Sequence, residues 1–224
     1  MKTVAIVPAA GSGKRLKQTK EKPFIRLRSK PLLSYALDAL NNSPHIDKIV
    51  LVVARKFVKK SRDLVKKYNL KKIEFIVPGG RTRSDSVLNG LNLVDKDTDY
   101  VLIHDGARPF LEKHLIEESI IAARRFGASC VSVPVKPTTK RVKKGYIKNT
   151  LKRNILWEAQ TPQVFKREVI LKAYRNRRLV KTATDDSSLV EMLGYKVRIV
   201  TGSYRNIKVT TKEDLILAKA LLKR

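Results

Sequence analysis

The sequence predicts an α/β protein built on a doubly wound, mostly parallel sheet with one protruding β-hairpin arm. Three observations predict it. Short β-branched runs alternate with amphipathic stretches almost from end to end, which is the β-α-β pattern of a helix-covered parallel sheet. Glycines and charged residues gather just after those runs, where open parallel sheets bind ligands. One segment breaks the rhythm and has the pattern of a hairpin.

Taken in order, the first strand is expected at 3–7, the apolar run that opens the chain. An amphipathic helix follows at 31–41, then a β-branched strand at 48–53, a basic helix at 56–68 and a strand at 72–77. The alternation continues with a helix at 83–93, a strand at 100–104, a helix at 112–126 and a strand at 129–133. Residues 135–151, Val-Lys-Pro-Thr-Thr-Lys-Arg-Val-Lys-Lys-Gly-Tyr-Ile-Lys-Asn-Thr-Leu, have no helical period and carry Lys144-Gly145 near the centre. They are expected to form a two-stranded hairpin turning there. A lone hairpin is marginal in water, so this one needs a surface to pack on, and a second subunit is the natural one. Helices at 167–175, 185–192 and 212–222 and a strand at 196–200 complete the pattern.

A chain of 224 residues, 42% of them apolar, is long enough for one domain with a real core. We expect a single domain over 1–224, with 135–153 as its arm. Cys130 is the sole cysteine, which excludes an intrachain disulfide and a cysteine metal cluster. The N-terminus is too short in apolar residues for a signal peptide, and no run is long enough to span a membrane. These features point to a soluble, cytoplasmic protein. The net charge of +29 supports two readings. Basic chains attract nucleic acids, but here the cations are scattered, and aromatic residues that could form a stacking platform make up only 6% of the chain. A solvated basic surface is the favoured reading, and its field would also attract nucleotides.

After the first strand comes Pro8-Ala9-Ala10-Gly11-Ser12-Gly13-Lys14-Arg15, with Lys22 a short loop further on. Small residues let the backbone approach a ligand and present successive N–H groups to an anion. Together with three cations, they suit a triphosphate. Pro8 and Arg15 stand where a Walker A loop requires Gly and Ser/Thr, and Leu16 stands where a dinucleotide fingerprint requires its third Gly.

This opening resembles that of the sugar-phosphate nucleotidylyltransferases. Four further segments are similar, in order, to those of the methylerythritol-phosphate cytidylyltransferases. They are Gly79-Gly80-Arg81-Thr82-Arg83-Ser84-Asp85-Ser86-Val87, His104-Asp105-Gly106-Ala107-Arg108-Pro109-Phe110, Arg153-Asn154 through Trp157 to Gln160-Thr161-Pro162-Gln163, and Asn206-Ile207-Lys208-Val209-Thr210. The resemblance covers nearly the whole chain. It implies a Rossmann-like nucleotidyltransferase fold that transfers CMP from CTP to methylerythritol phosphate. The ribitol-5-phosphate cytidylyltransferases are the nearest alternative, and a basic nucleic-acid-binding protein on a degenerate version of this fold is another.

By that resemblance CTP is bound by Pro8, Ala9, Ala10, Gly11, Ser12, Gly13, Gly80, Arg83, Ser86, Asp105 and Gly106. Arg15, Lys22 and Lys208 are implied to be catalytic. Arg108, Thr138, Arg153, Thr184 and Thr210 are implied to hold the acceptor, and Asp105 the metal, Mg²⁺. Read from chemistry alone, Asp105 at a strand end suits Mg²⁺ or caps the following turn. Arg108 and Arg153 are planar forks that either clamp a phosphate or form surface salt bridges. Thr138 and Thr184 would otherwise be plain strand and cap threonines. His104 is expected to pack or hydrogen-bond rather than act as a base, and Trp157 to pack. In the family the arm exchanges between subunits of a homodimer, so that Thr138 and Arg153 serve the neighbour's site. Glu21, Pro23, Arg81 and Leu16 depart from the family pattern, which leaves the base contact near Arg81 and the aim of Lys22 open.

Overall fold

The computed structural model describes residues 1–11 and 21–222. Ser12, Gly13 and Arg15, named above, lie outside the described residues. The strands are β1 (Thr3–Ala9), β2 (Arg26–Leu27), β3 (Lys30–Pro31), β4 (Lys48–Val53), β5 (Ile73–Pro78), β6 (Tyr100–Ile103), β7 (Ala128–Pro134), β8 (Lys140–Lys143), β9 (Tyr146–Thr150), β10 (Trp157–Lys166) and β11 (Arg198–Thr201). The helices are α1 (Leu32–Asn41), α2 (Val58–Lys67), α3 (Arg83–Leu91), α4 (Lys113–Phe126), α5 (Arg167–Arg175), α6 (Arg177–Thr182), α7 (Asp186–Glu191) and α8 (Lys212–Leu221).

Seven strands form one sheet in the order β11-β7-β10-β6-β1-β4-β5. All its pairings are parallel except those of β10, which runs antiparallel to both β6 and β7. The sheet is doubly wound because successive strand residues face opposite ways. Ala5, Val7, Leu51 and Leu102 meet Leu33 and Leu37 of α1, Leu64 of α2 and Ile116 and Ile120 of α4. Val4, Ile6, Val50 and Ile103 meet Val87 and Leu91 of α3, Ile170 of α5 and Leu189 of α7. Burial on both faces explains why the strands are continuous apolar runs rather than alternating ones.

β10 was not expected from the sequence. Gln160, Thr161, Pro162 and Gln163 interrupt any apolar pattern, yet Gln160, Thr161 and Gln163 are buried in the middle of the sheet. The β7 pairing slips between Ala159 and Gln163, a bulge that accommodates Pro162 where a regular ladder would require its missing N–H. The short helix α6 was also not expected; its sequence, Arg-Arg-Leu-Val-Lys-Thr, carries no apolar period, and the Asn176 side chain caps it through Leu179 N–H. Trp157, expected to pack, is 41% exposed.

The hairpin forms where expected. Lys144 and Gly145 both have positive φ, 51° and 83°, as a two-residue turn between right-twisted strands requires. Every residue of β8 and β9 is exposed, and Val142, Tyr146 and Ile147 turn apolar surface to solvent. No described helix is long and apolar enough to cross a membrane.

Candidate active site

The carboxyl ends of β1, β5 and β6 meet at a cavity of about 300 Å³. Pro8, Ala9, Ala10 and Gly11 form one wall, with Pro8 and Ala9 still in the β1–β4 ladder rather than in a loop. Gly80, Thr82, Arg83 and Ser86 form a second wall. Asp105, Gly106, Lys208 and Thr210 form the floor, and Lys22 stands at the rim among the lining residues.

Local chemistry holds the second wall in shape. Thr82 and Asp85 make a reciprocal capping box at the start of α3. The Ser86 hydroxyl donates to Thr82 O at 3.0 Å and accepts from Gly80 N–H at 3.2 Å. A Cβ at Gly79 would lie 2.3 Å from Ala10 Cβ, and one at Gly80 would lie 2.2 Å from Asp85 Cβ. Glycine is therefore required at both positions by closeness, so that this turn can press against the first strand and its own helix. Arg81 is exposed and does not line the cavity.

Next to this cavity lies a second, of about 280 Å³, lined by Arg108, Ala159, Gln160, Thr161, Gln163, Thr184 and Asp185. Three residues line both cavities: Arg83, Asp105 and Lys208. They form a row of alternating charge. Asp105 Oδ2 sits 2.6 Å from Lys208 Nζ, and its Oδ1 accepts from Arg83 Nε at 2.9 Å. Arg83 Nη1 reaches Asp186 at 2.8 Å. Burial pushes the Asp105 carboxyl up, but Arg83 and Lys208 outweigh it and hold the group well below the usual carboxylate range. Asp105 is therefore ionised at any physiological pH. Its side chain binds two cations and, among the described residues, makes no turn-capping hydrogen bond, which sets aside the capping reading.

His104 is fully buried. Its Nε2 donates to Arg108 O and its Nδ1 accepts from the Thr161 hydroxyl, both at 3.1 Å, while the same hydroxyl accepts from Asp105 N–H. A carbonyl can only accept, so Nε2 carries the proton. Burial lowers the imidazole pKa to about 4, leaving a neutral ring that braces the Asp105 backbone rather than a base, as expected. Gln160 and Thr161 of the unexpected β10 reach further. Asn206 Nδ2 donates to Gln160 Oε1 and Thr161 O, and Val209 N–H donates to Ala107 O. These bonds join the 206–210 segment to the end of β6 and so bring Lys208 over Asp105.

The remaining expected residues divide among these cavities and the arm. Arg108 is only 9% exposed, so it is not a surface salt bridge. It donates through Nη1 to Asn206 O at 2.6 Å and through Nη2 to Ala159 O at 3.4 Å, while its buried Nε has no hydrogen-bond partner among the described residues. Thr184 lines the second cavity beside it. Thr210 lines the first cavity instead, with its hydroxyl donating to Asp214. Thr138 and Arg153 line neither cavity; both are exposed, and Arg153 donates to Lys136 O at the base of the arm. Gln163 stood in a family-like segment without a role, and Asp185 and Asp186 were given none, since a Gln in an unrecognised strand and a pair of acids opening a helix carry no functional signal of their own. Among the described residues no group of three His, Cys, Asp or Glu is gathered for a metal. Asp105 with substrate oxygens and water nevertheless suits Mg²⁺, which takes one or two protein carboxylates and keeps several waters.

Comparison with known proteins shows the family and the fold. The family model for 2-C-methyl-D-erythritol 4-phosphate cytidylyltransferase (IspD) matches residues 3–224. The chain is 47% identical to a protein of that name from Desulforamulus reducens, over 99% of this chain and 96% of that one. It is similar to a crystal structure of 4-diphosphocytidyl-2C-methyl-D-erythritol synthase from Anaerococcus prevotii, with a TM-score of 0.89 at 35% identity, covering 100% and 96% of the two chains. The cytidylyltransferase of Thermus thermophilus superimposes with a TM-score of 0.80 at 28% identity, covering 100% of both chains.

Proposed function

Because the chain belongs to the 2-C-methyl-D-erythritol 4-phosphate cytidylyltransferase family, we propose how its two cavities divide the work of that reaction. The enzyme transfers the cytidylyl group of CTP to 2-C-methyl-D-erythritol 4-phosphate, a step of isoprenoid precursor synthesis. The full-length family match selects this acceptor over ribitol phosphate. An oxygen of the acceptor phosphate forms a bond to the α-phosphorus of CTP. The bond from that phosphorus to the bridging oxygen of the β-phosphate breaks, and pyrophosphate leaves with the electron pair. The acceptor phosphate is already ionised, so no protein nucleophile or base is needed. Catalysis is then positioning and charge neutralisation.

In this reading CTP occupies the first cavity, with its base and ribose at Gly80, Arg83 and Ser86 and its phosphates along Pro8, Ala9, Ala10, Gly11 and Gly106 near Lys22 and Lys208. Gly11 belongs to the phosphate wall, and Ser12 and Gly13 as CTP-binding residues and Arg15 as a catalytic one remain part of the proposal outside the described residues. The acceptor occupies the second cavity, with its phosphate near Arg108 and Thr184, while Thr210 would meet it from the first cavity, which it lines. The observation that carries the proposal is that Arg83, Asp105 and Lys208 line both cavities, so two phosphorylated molecules would meet over one row of charges. Mg²⁺ bound at Asp105 would supply further neutralisation of the triphosphate. The strongly positive chain would draw both anions in.

The exposed apolar arm supports a homodimer, in which Thr138 and Arg153 complete the partner's acceptor pocket. We further propose one domain over 1–224 and a cytoplasmic enzyme. The test is pyrophosphate release with CTP and methylerythritol phosphate, against ribitol phosphate and other nucleotides, in wild type and Lys22→Ala. We expect turnover only with the first pair, and a loss of on the order of a hundredfold in the variant. Near-native turnover in Lys22→Ala would remove the proposed role of the cationic rim.

A further inference from the structure

Behind the charged row lies a carboxylate that neither substrate can reach. Asp186 is 1% exposed, opens α7, and lines neither cavity. A buried lone carboxylate is costly unless paired, and this one has two partners. Tyr174 of α5 donates its hydroxyl to Oδ1 at 2.5 Å, and Arg83 Nη1 lies 2.8 Å from Oδ2. The Arg83 contact is close but poorly aligned as a hydrogen bond, so its grip is mainly charge. Arg83 therefore stands between two anions, held from behind by Asp186 and pairing in front with Asp105, which in turn pairs with Lys208. Three helices supply the parts: α3 gives Arg83, α5 gives Tyr174 and α7 gives Asp186.

We propose that Asp186 and Tyr174 are positioning residues for cytidylyl transfer, acting through Arg83 to hold Asp105 and Lys208 in register with the reacting phosphates. The inference rests on the site assignment proposed above and deepens it. Without the rear anion, Arg83 is free to swing towards the triphosphate or wholly onto Asp105, and either movement re-aims Lys208. Displacements of about an ångström at a reacting centre cost on the order of a hundredfold in rate. Ground-state CTP binding is shared among many residues of the first cavity's walls, of which Arg83 is one and Asp186 is none. The penalty therefore belongs in kcat rather than KM.

The test is a set of double-mutant cycles read as kcat and KM for CTP per folded enzyme, with thermal unfolding measured in parallel. Asp186→Asn keeps the shape and can still accept from Tyr174, but it loses the charge. We expect kcat to fall about 10–100-fold with KM for CTP within about threefold of wild type. In an Arg83→Gln background the same change should cost nothing further, because the group it acts through is gone. Tyr174→Phe, a milder change that keeps the ring, should lose a few-fold in kcat in the wild-type background, and this loss should also vanish with Arg83→Gln. A purely structural role predicts a lower Tm and unchanged kcat. That result, or an equal loss in both backgrounds, overturns this inference alone. Near-native turnover in Lys208→Ala overturns the site assignment and this inference with it.

Discussion

Neutralising the carboxylate at the centre of the row, Asp105→Asn, probes stability and chemistry together. In the native state Asp105 pairs with Lys208 at 2.6 Å and Arg83 at 2.9 Å. Stranding a buried charge by removing its partner typically costs about 3–5 kcal/mol. Here neither cation is stranded. Arg83 keeps Asp186 at 2.8 Å, and the Lys208 side chain, 38% exposed, can turn to water. The cost therefore falls lower, at about 2 kcal/mol. For a chain of this size each kcal/mol moves Tm by about 2–4 °C, so Tm should fall by about 4–8 °C. Turnover should fall about 100–1,000-fold, the usual loss on removing a preorganised electrostatic group. KM for CTP should stay within a few-fold of wild type, since removing an anion from a site that binds a polyanion offsets the weaker hold on Mg²⁺. The assays are calorimetry and pyrophosphate release at saturating Mg²⁺. A kcat within tenfold of wild type, or a KM rising in step with the lost rate, would refute the placing of Asp105 at the reacting phosphates.

Acid lability should trace in part to His104. Its folded pKa of about 4 lies below the 6.5 of a free imidazole, so the unfolded chain binds more protons between those values. Stability should therefore fall as pH drops from about 6.5 to 4. His104→Gln should flatten that slope in urea midpoints measured against pH, and an unchanged slope would show that the slope arises elsewhere. If the arm completes the partner's pocket, mixing inactive Lys208→Ala and Arg153→Ala dimers should restore activity, because one of the two sites in each mixed dimer is then intact. Additive inactivity after subunit exchange would mean that Arg153 acts in its own subunit. Gly80→Ala forces a Cβ to within 2.2 Å of Asp85 Cβ and should raise KM for CTP several-fold by shifting the wall beside the base. An unchanged KM would separate that turn from nucleotide binding.

The sequence alone was enough to recognise the alternation of β1, α1, β4, α2, β5, α3, β6 and α4, because a sheet buried on both faces writes itself as long apolar runs. It also identified the arm, whose Lys-Gly turn is a local signal, and the position of the first wall, since a run of small residues after a strand marks the carboxyl edge of a parallel sheet. Asp105 and Lys208 could be named from their motifs. That they touch could not, because they are distant in the chain and meet only through the sheet.

What tertiary structure decided was how the central segment is arranged. Gln160-Thr161-Pro162-Gln163 looks like a loop in one dimension. It becomes part of an interior strand of the sheet because its polar side chains are satisfied by partners far away in sequence: His104, Asn206, Asp185 and the amide of Ser187. Burial of a polar group is affordable only when such partners exist, and no local pattern announces them. The same holds for Arg108, read from sequence as a fork for a phosphate or a surface salt bridge and found buried between two carbonyls, and for Asp186, which becomes part of the site only because three helices converge behind Arg83. Periodicity and motifs determined the scaffold and the parts. The long-range pairing of buried charges and amides determined how those parts face one another.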